Sequence, residues 1–256
     1  MSLLREGEGR FLNLDGGRIR VEDSGRADGP PLLLLHGGFG SVEDFDPLAP
    51  MLAGFRLIAM DSRGQGMSTL GAPLTYARLE ADALAVLAAV GVPRADVLGY
   101  SDGGIVGLRL AARPDSPVRR LAAIGAQHRL LPDDPARGMF DRLTPEKWRE
   151  IMPESVARYE ALNPEPDFPA LTGHVRALWL SEGEDAYPGD DVRRIMAPVL
   201  LIRGDEDRVV ARVETAILAD LIPGARLANL PWAGHEAQAD APEAVAAILL
   251  RFLAEA

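Results

Sequence analysis

Short, continuously apolar segments recur along the chain, and each is followed at once by small or polar residues. The clearest of them span residues 31–35, 55–60 and 95–100. Runs without polar alternation are typical of strands that are covered on both faces of a sheet. The same pattern recurs in three further segments, at 118–126, 198–203 and, more weakly, 226–230. Together these segments predict a sheet buried between two layers.

Helical patterns separate the predicted strands, at 76–90, 103–113, 211–221 and 242–254. The alternation predicts a mainly parallel sheet of about eight strands with helices on both faces. A hairpin that turns at Asp15-Gly16-Gly17 is predicted to precede it, at residues 10–23. In such sheets ligands bind beyond the carboxyl ends of the strands. The residues that follow each strand are therefore the candidates for a functional site.

Residues 127–197 break this alternation. The stretch contains eight prolines and helical patterns around 145–162, 168–181 and 189–195. It also carries a large share of the few aromatic residues, Trp148, Tyr159, Trp179 and Tyr187. We expect a helical cap at 127–197, inserted into a core that is formed by residues 1–126 and 198–256.

The chain has 256 residues, a formal net charge of −11 and no cysteine. An acidic protein repels nucleic acid and anionic membranes, so neither is expected as a partner. Thiol catalysis, disulfides and thiolate metal sites are excluded, and the four histidines are too scattered to predict a metal site. The start, MSLLREGEGR, lacks the apolar core of a secretory signal, and no apolar stretch reaches the roughly 20 residues of a membrane span. A cytoplasmic location is expected.

The strongest local motif is Gly99-Tyr100-Ser101-Asp102-Gly103, which matches G-x-S-x-G between a predicted strand and a predicted helix. In this motif the serine occupies a strained turn that exposes its hydroxyl above the sheet, and the glycines relieve crowding around it. The helix N-terminus that follows directs backbone N–H groups at the reacting centre. Ser101 is therefore the candidate nucleophile.

A serine hydroxyl needs a general base, and the candidate is His235, which lies between the last short strand and the final helix. A carboxylate must orient the histidine. Asp205 and Asp207 both follow the strand at 198–203, and the residues alone leave both open. The order serine, aspartate, histidine along the chain is that of the α/β-hydrolase triad.

Five segments, in this order and spacing, resemble the α/β-hydrolase-fold serine hydrolases over nearly the whole chain. They lie at 34–40, 61–68, 99–103, 204–207 and 234–235. The resemblance implies that the acid is the third residue after the glycine that ends its strand, which selects Asp207. We interpret His36 as a residue that holds its loop by hydrogen bonds, and Asp61 and Arg63 as a loop-stabilising pair and not as catalysts.

An oxyanion hole requires two backbone donors that are aimed at the developing negative charge. One is expected to be the amide of Asp102, the residue after the nucleophile. By the same resemblance the other comes from the turn after His36-Gly37, and Gly38 is the first candidate, with Phe39 next. A glycine at this position lets the backbone approach the substrate.

The side chain of Asp102 poses a separate question, because a carboxylate opposes a negative charge that develops beside it. It must point away, be paired or bind a cation, and an acid in a first helical turn also stabilises the helix dipole. The Ser-Asp-Gly-Gly sequence resembles the branch that includes valacyclovir hydrolase, an α-amino-acid ester hydrolase in which the matching residue contacts the substrate amino group. Asp102 is thus a candidate substrate-binding residue. Trp148 and Trp179 are two more, which would line an apolar acyl pocket or form the core of the cap.

The expected function is that of a serine hydrolase without cofactor or metal, acting on small carboxylic esters, with lactones and α-amino esters as variants. Ser101 would attack the carbonyl, His235 would take its proton, and Asp207 would hold the imidazole. Enzymes that use an aspartate nucleophile, such as haloalkane dehalogenases and epoxide hydrolases, are disfavoured by Ser101. The expected partner is a small-molecule ester, and the protein is expected to be a monomer or a homodimer.

Alternatives remain open within the same fold. A C–C hydrolase of meta-cleavage products and a cofactor-free perhydrolase use the same triad, and spacing does not separate them. A ligand receptor with little or no turnover is the alternative of another class, and the presence of all three triad residues favours an enzyme.

Overall fold

A computed structural model describes residues 9–255 of the chain. Its eight-stranded sheet has the order β1-β2-β4-β3-β5-β6-β7-β8. The strands are β1 Arg10–Leu14, β2 Gly17–Gly25, β3 Pro31–Leu35, β4 Arg56–Met60, β5 Ala95–Tyr100, β6 Val118–Ile124, β7 Val199–Gly204 and β8 Arg226–Leu230. β2 pairs in antiparallel fashion with β1 and β4, and the remaining pairs are parallel. The mainly parallel sheet and the α/β-hydrolase fold predicted from the sequence are confirmed.

The helices of the described residues fall into two groups. Those outside residues 127–197 are α1 Tyr76–Ala89, α2 Asp102–Ala112, α7 Arg212–Leu221, α8 Ala237–Asp240 and α9 Pro242–Leu253, together with two 3-10 helices at Val42–Phe45 and Ala49–Leu52. Those between β6 and β7 are α3 Pro135–Asp141, α4 Pro145–Ile151, α5 Pro153–Leu162, α6 Phe168–Trp179 and a 3-10 helix at Gly189–Arg194. We call the second group the cap helices.

Both faces of the sheet are buried, and the side chains of β3 show why its sequence does not alternate. Leu33 and Leu35 pack into the cluster that contains residues of α1 and α2, such as Val86. Leu32 and Leu34 point to the opposite face, into the cluster that contains residues of α9, such as Leu249. Because successive strand residues face opposite sides, a strand covered twice must be apolar throughout.

The cap helices differ in detail from the sequence prediction. The helical pattern predicted at 145–162 forms two helices, α4 and α5, which are separated at Met152. Pro153 opens α5, and proline both lacks a backbone N–H and keeps the preceding residue out of the helical region. The segment predicted at 189–195 is a 3-10 helix. α3 was not predicted, although Asp134 caps it and Pro135 occupies its first turn, which is a recognisable start signal.

Buried charges hold the loops at the carboxyl ends of the strands. Arg63 is fully buried and donates to both carboxylate oxygens of Asp82, at 2.6 and 2.8 Å. Asp61, also fully buried, accepts from the backbone of Val42 and Met67. The predicted pair of Asp61 with Arg63 is therefore wrong. The two residues stabilise loops separately: Arg63 is paired with Asp82 of α1, and the charged partner of Asp61 is Arg20 of β2, at 3.5 Å.

Two sequence expectations, the lack of a membrane span and the lack of a secretory signal, concern different parts of the chain. Within residues 9–255, no helix combines the length and the apolar character needed to cross a bilayer. Residues 1–8, on which the prediction of no secretory signal mainly rests, lie outside the described residues.

Candidate active site

Ser101 lies in the turn between β5 and α2, with φ +50° and ψ −115°. A non-glycine residue in this region costs about 1–3 kcal/mol, and such strain is common where a turn must present a side chain. A side chain at Gly99 would collide with the backbone of Gly103, and one at Gly103 would collide with the carbonyl of Leu35. Only glycine therefore allows strand, turn and helix to approach closely enough to hold Ser101 in this conformation.

A chain of two hydrogen bonds joins Ser101, His235 and Asp207. His235 Nε2 lies 3.0 Å from Ser101 Oγ, and His235 Nδ1 lies 3.0 Å from Asp207 Oδ2. The other oxygen of Asp207 accepts from the backbone N–H groups of Val209 and Val210, at 2.8 and 3.0 Å. Both carboxylate oxygens of Asp207 are therefore hydrogen-bonded, which fixes the carboxylate in one orientation toward the imidazole.

The environment of Asp207 favours its ionised form. Burial by itself would raise the pKa of this carboxyl, but the hydrogen bond from His235, the charge of His235 and the two backbone N–H groups outweigh it. The pKa of Asp207 is therefore lowered from its ordinary value. Asp205, the other candidate, is exposed and contacts Arg212 and Asn229 instead of the histidine. Of the two aspartates, the structure brings only Asp207 to His235.

The turn Gly37–Gly40 lies against the Ser101 turn. It is closed by a hydrogen bond from Gly40 N–H to Gly37 O at 3.2 Å, and Phe39 has φ +60°. A side chain at Gly38 would lie 2.7 Å from Trp179 and 2.8 Å from Asp102 Oδ2. Among the described residues, neither Gly38 N–H nor Phe39 N–H has an acceptor. The first helical N–H of α2, from Asp102, lies at the same edge and has no partner within its helix.

The carboxylate of Asp102 is buried and paired. It accepts from Tyr76 Oη at 2.8 Å and from Trp179 Nε1 at 2.9 Å. Burial raises the pKa of Asp102, and the two hydrogen bonds act against that rise. The sequence left three arrangements open for this carboxylate: it could point away, be paired or bind a cation. In the structure it is paired, with Tyr76 and Trp179. Sequence reasoning missed Tyr76, the first residue of α1, because it belongs to no motif.

A cavity of about 480 Å³ lies over these groups. Ser101, His235 and Asp102 contribute to its floor, and Trp148 and Trp179 contribute to its wall. Much of the remaining wall is apolar and comes from the cap helices and the loop before α7, through Met139, Phe140, Leu143, Ile151, Met152, Val209 and Val210. Charged residues also line it, namely Asp44, Lys147, Glu154, Arg158, Glu236 and Asp240.

Among the lining residues that were not singled out from the sequence, Asp44, Ser155, Arg158 and Glu236 make polar contacts with other elements. Asp44 is ion-paired with Arg158 of α5 at 3.2 Å, and burial raises the pKa of Asp44 to about 6. Ser155 of α5 donates to Phe39 O at 3.0 Å. Glu236 follows the histidine and accepts from Tyr100 Oη at 3.3 Å. No local pattern marks these residues, since their partners come from distant elements.

The other histidines do not face the cavity. His36 Nε2 accepts from the backbone of Ser62 at 2.8 Å, which ties two loops together as the sequence interpretation expected. His128 is buried, and burial lowers its pKa to about 4. In residues 9–255, no three acidic or histidine side chains are grouped so that they could hold a metal ion.

Comparisons with known proteins assign the chain to a family. A family model described as alpha/beta hydrolase fold matches residues 30–179, so the chain belongs to that family. A 2-hydroxymuconate semialdehyde hydrolase of Pseudomonas putida is 30% identical, covering 97% of this chain and 95% of the relative. A protein of Caulobacter sp. (strain K31) with the provisional name carbamate hydrolase RutD is 28% identical over 94% of this chain and 96% of its own.

A solved structure of a hydrolase from Pseudomonas aeruginosa PA01 is also similar. It is 30% identical, has a TM-score of 0.79, and the match covers 98% of this chain and 100% of that chain. The family and the hydrolase names of these relatives identify the protein as a hydrolase.

Proposed function

We propose that this hydrolase cleaves small, neutral carboxylic esters through an acyl-enzyme on Ser101. The observation that carries the proposal is the hydrogen-bond chain from Asp207 through His235 to Ser101, with both bonds at 3.0 Å, beneath a largely apolar cavity. A serine, a base within hydrogen-bond reach and a carboxylate that orients the base are the parts that nucleophilic acyl transfer requires.

The steps follow from the positions of these groups. His235 Nε2 takes the Ser101 proton as the Oγ attacks the ester carbonyl, and the resulting imidazolium is stabilised by Asp207. The oxyanion accepts hydrogen bonds from the amide of Asp102 and from the turn at Gly38 and Phe39. His235 then gives its proton to the leaving alcohol, and the acyl-enzyme is cleared by a water molecule that His235 deprotonates.

The cap at residues 127–197 has the role of selecting substrate in this proposal. Its apolar wall residues, with Trp148 and Trp179 among them, favour the acyl chain of an ester and exclude bulk water. A cationic substrate is less favoured than the sequence suggested, because Tyr76 and Trp179 already donate to the Asp102 carboxylate. α-Amino esters are therefore the minor variant of the proposal.

A second candidate is C–C bond cleavage on the same three residues. It is favoured by the 30% identity, over nearly the full length of both chains, to the relative named 2-hydroxymuconate semialdehyde hydrolase. Carbamate cleavage, as in the name of the Caulobacter relative, would use the same oxyanion hole and nucleophile. A receptor without turnover would bind these compounds and release them unchanged.

The test is a kinetic comparison of wild type, Ser101→Ala and Ser181→Ala on aryl esters. Ser181 is a matched control in the cap, since its hydroxyl bonds only to Leu178 O within its own segment. We expect wild type and Ser181→Ala to be alike, and Ser101→Ala to lose several orders of magnitude in kcat. Activity of Ser101→Ala near wild type would refute the assigned nucleophile.

The substrate class is tested by pairing an aryl ester that has a free α-amino group with its des-amino twin. Hydrolysis of the twin at least as fast as the amino ester is the expected result. A strong preference for the amino ester would instead assign an ammonium site to Asp102. If neither ester is hydrolysed, a meta-cleavage product is the next substrate, and turnover of that compound would replace the ester proposal with C–C cleavage.

A further inference from the structure

Phe39 has a backbone conformation that its own side chain disfavours. It is the third residue of the turn Gly37–Gly40 and has φ +60°, a position that glycine ordinarily takes in such turns. A bulky residue persists there only when its surroundings hold it in place. The interactions that hold Phe39 therefore also hold the N–H groups of Gly38 and Phe39, which are proposed for the oxyanion hole.

The ring of Phe39 is held by the cap helices. It is 4% exposed, and its centroid lies 4.5 Å from that of Trp148 and 5.7 Å from those of Phe168 and Trp179. These three partners come from α4 and α6, so a residue of a core loop is packed inside the cap's aromatic cluster. Aromatic pairs at such separations favour defined geometries beyond the burial of their surface.

The peptide group that joins Phe39 to Gly40 is held at both polar atoms. Its N–H donates to Gly37 O within the turn, at 3.2 Å. Its carbonyl accepts from Ser155 Oγ of α5, at 3.0 Å. With both atoms bonded, this peptide cannot rotate, and the preceding N–H groups of Gly38 and Phe39 are left without an acceptor among the described residues.

A second contact joins the same helix to the same loop. Arg158, one turn after Ser155 on α5, forms the ion pair with Asp44, and Asp44 Oδ2 also accepts from Ser41 N–H. The loop that begins at the oxyanion turn is thus attached to α5 at two points, and only the first of them acts on the turn itself.

From these contacts we propose that the Ser155 hydroxyl and the Phe39 ring form a clamp through which the cap holds the oxyanion-hole turn in its active conformation. Ser155 is a positioning residue in this mechanism, since it acts on the substrate through the Phe39–Gly40 peptide. The inference rests on the proposed function, because it assigns the turn to the stabilisation of an oxyanion. It implies that binding energy gained at the cap improves the chemical step.

The first experiment compares Ser155→Ala with Ser155→Thr and with the matched control Ser181→Ala. Both alanine variants remove one cap hydroxyl that donates to a backbone carbonyl, but only Ser155 reaches the turn. We expect Ser155→Ala to lower kcat about tenfold and to leave KM within about twofold, which is less than the loss of a whole oxyanion donor. Ser155→Thr should restore most of kcat, and Ser181→Ala should equal wild type.

A tetrahedral inhibitor distinguishes a clamp from a general loss of structure. A trifluoromethyl ketone adds to Ser101 and places an oxyanion in the hole, so its inhibition constant should weaken in Ser155→Ala by the same factor as kcat. Titration of active sites with a stoichiometric phosphonate reports the folded fraction. A fall in kcat that is matched by a fall in titrated sites would overturn the clamp, and so would a Ser155→Ala enzyme that equals Ser181→Ala.

The role of the ring is tested by Phe39→Gly. Glycine adopts φ +60° without strain, so a turn that is held only by its own backbone should be fully active in this variant. The clamp predicts a fall in kcat of about tenfold or more, because the anchor in the cap is lost. Wild-type kcat in Phe39→Gly would remove the ring from the proposal.

Hydrogen exchange at the Gly40 amide provides a readout that does not depend on activity. The clamp predicts faster exchange in Ser155→Ala than in Ser181→Ala, with unchanged Tm. Equal exchange would overturn the clamp. If wild type hydrolyses no ester, the proposed function fails by itself, and the exchange measurement still decides whether the cap holds the turn.

Discussion

The loops beneath the cavity and the cap helices above it are stabilised by different interactions. In the loops at the carboxyl ends of the strands, fully buried charges make several hydrogen bonds each, as Arg63 does with Asp82 and with the carbonyl of Leu14. In the cap, aromatic rings provide the packing, and ion pairs such as Arg137 with Glu182 lie near the surface. The loops at the strand ends are thus held by directional bonds, and the shape of the cap is fixed by apolar contact.

This difference has a physical consequence for function. A satisfied network of buried polar groups has one good arrangement, and its disruption leaves uncompensated charge. Apolar packing tolerates substitutions that conserve volume. The chemistry should therefore be sensitive to changes in the loops, and the choice of substrate should be adjustable through the cap.

The largest expected effect concerns the loop that carries Asp207, the proposed acid of the triad. Asp207→Asn should lower kcat by about 10⁴-fold, because an amide neither holds the correct imidazole tautomer nor stabilises the imidazolium. Asp205→Asn is the matched control, since Asp205 is exposed two residues away. Steady-state kinetics of the two variants on one aryl ester provide the measurement. Similar losses in both would contradict the assignment of Asp207.

The next largest effect is a difference in the stability lost when a buried ion pair and a surface ion pair are each broken. Arg63→Met should lower the free energy of unfolding by about 3–5 kcal/mol, because it leaves Asp82 buried and unpaired. Arg137→Ala, in the cap, should cost less than about 1 kcal/mol, since its partner Glu182 is 74% exposed. Urea unfolding measures both. A comparable loss from the cap variant would show that the two regions do not differ as described.

A smaller effect is expected at the cavity wall. Ile151 is 55% exposed and lines the cavity, so Ile151→Ala should weaken the preference for longer acyl chains by a few fold in kcat/KM and leave the shortest ester unaffected. Met196→Ala removes an apolar side chain that is 89% exposed and lies away from this wall. A chain-length series measured on both variants and wild type is the check, and equal profiles in all three would refute a role for Ile151.

The smallest effect is at the contact between loop and cap, where Asp44 meets Arg158. Burial raises the pKa of Asp44 from 3.8 to about 6, so at pH 5 the folded chain still holds this proton whereas the unfolded chain has already lost it, and by pH 7 both have lost it. Stability therefore falls as pH rises through this window, and Asp44→Asn should reduce that fall by about 1 kcal/mol.

Urea unfolding at pH 5, 6 and 7 measures this slope, with Asp133→Asn as an exposed control. Asp61, whose pKa burial also raises to about 6, is present in both proteins and cancels in the comparison. An unchanged slope in Asp44→Asn would mean that this carboxyl titrates as if it were in water.

Local patterns were sufficient to predict the frame of the molecule and to select Ser101 as the candidate nucleophile. The run at Pro31–Leu35 indicated a strand covered on both faces, and the glycines around Ser101 indicated its tight turn. These features depend on neighbouring residues, so the sequence contains their signal. The ends of the cap helices were predicted less well, because single prolines such as Pro153 divide a continuous helical pattern.

The tertiary structure alone decided how the site is supported. It paired Asp102 with Tyr76 and Trp179, and it placed the Ser155 hydroxyl on Phe39. Ser155 and Phe39 are 116 residues apart, and Asp102 and Trp179 are 77 apart. Side chains at such separations meet only after the sheet and the cap have packed. The residues around either partner therefore contain no signal that identifies the other partner. The strand ends determined where chemistry could occur, and long-range packing determined which groups hold it in place.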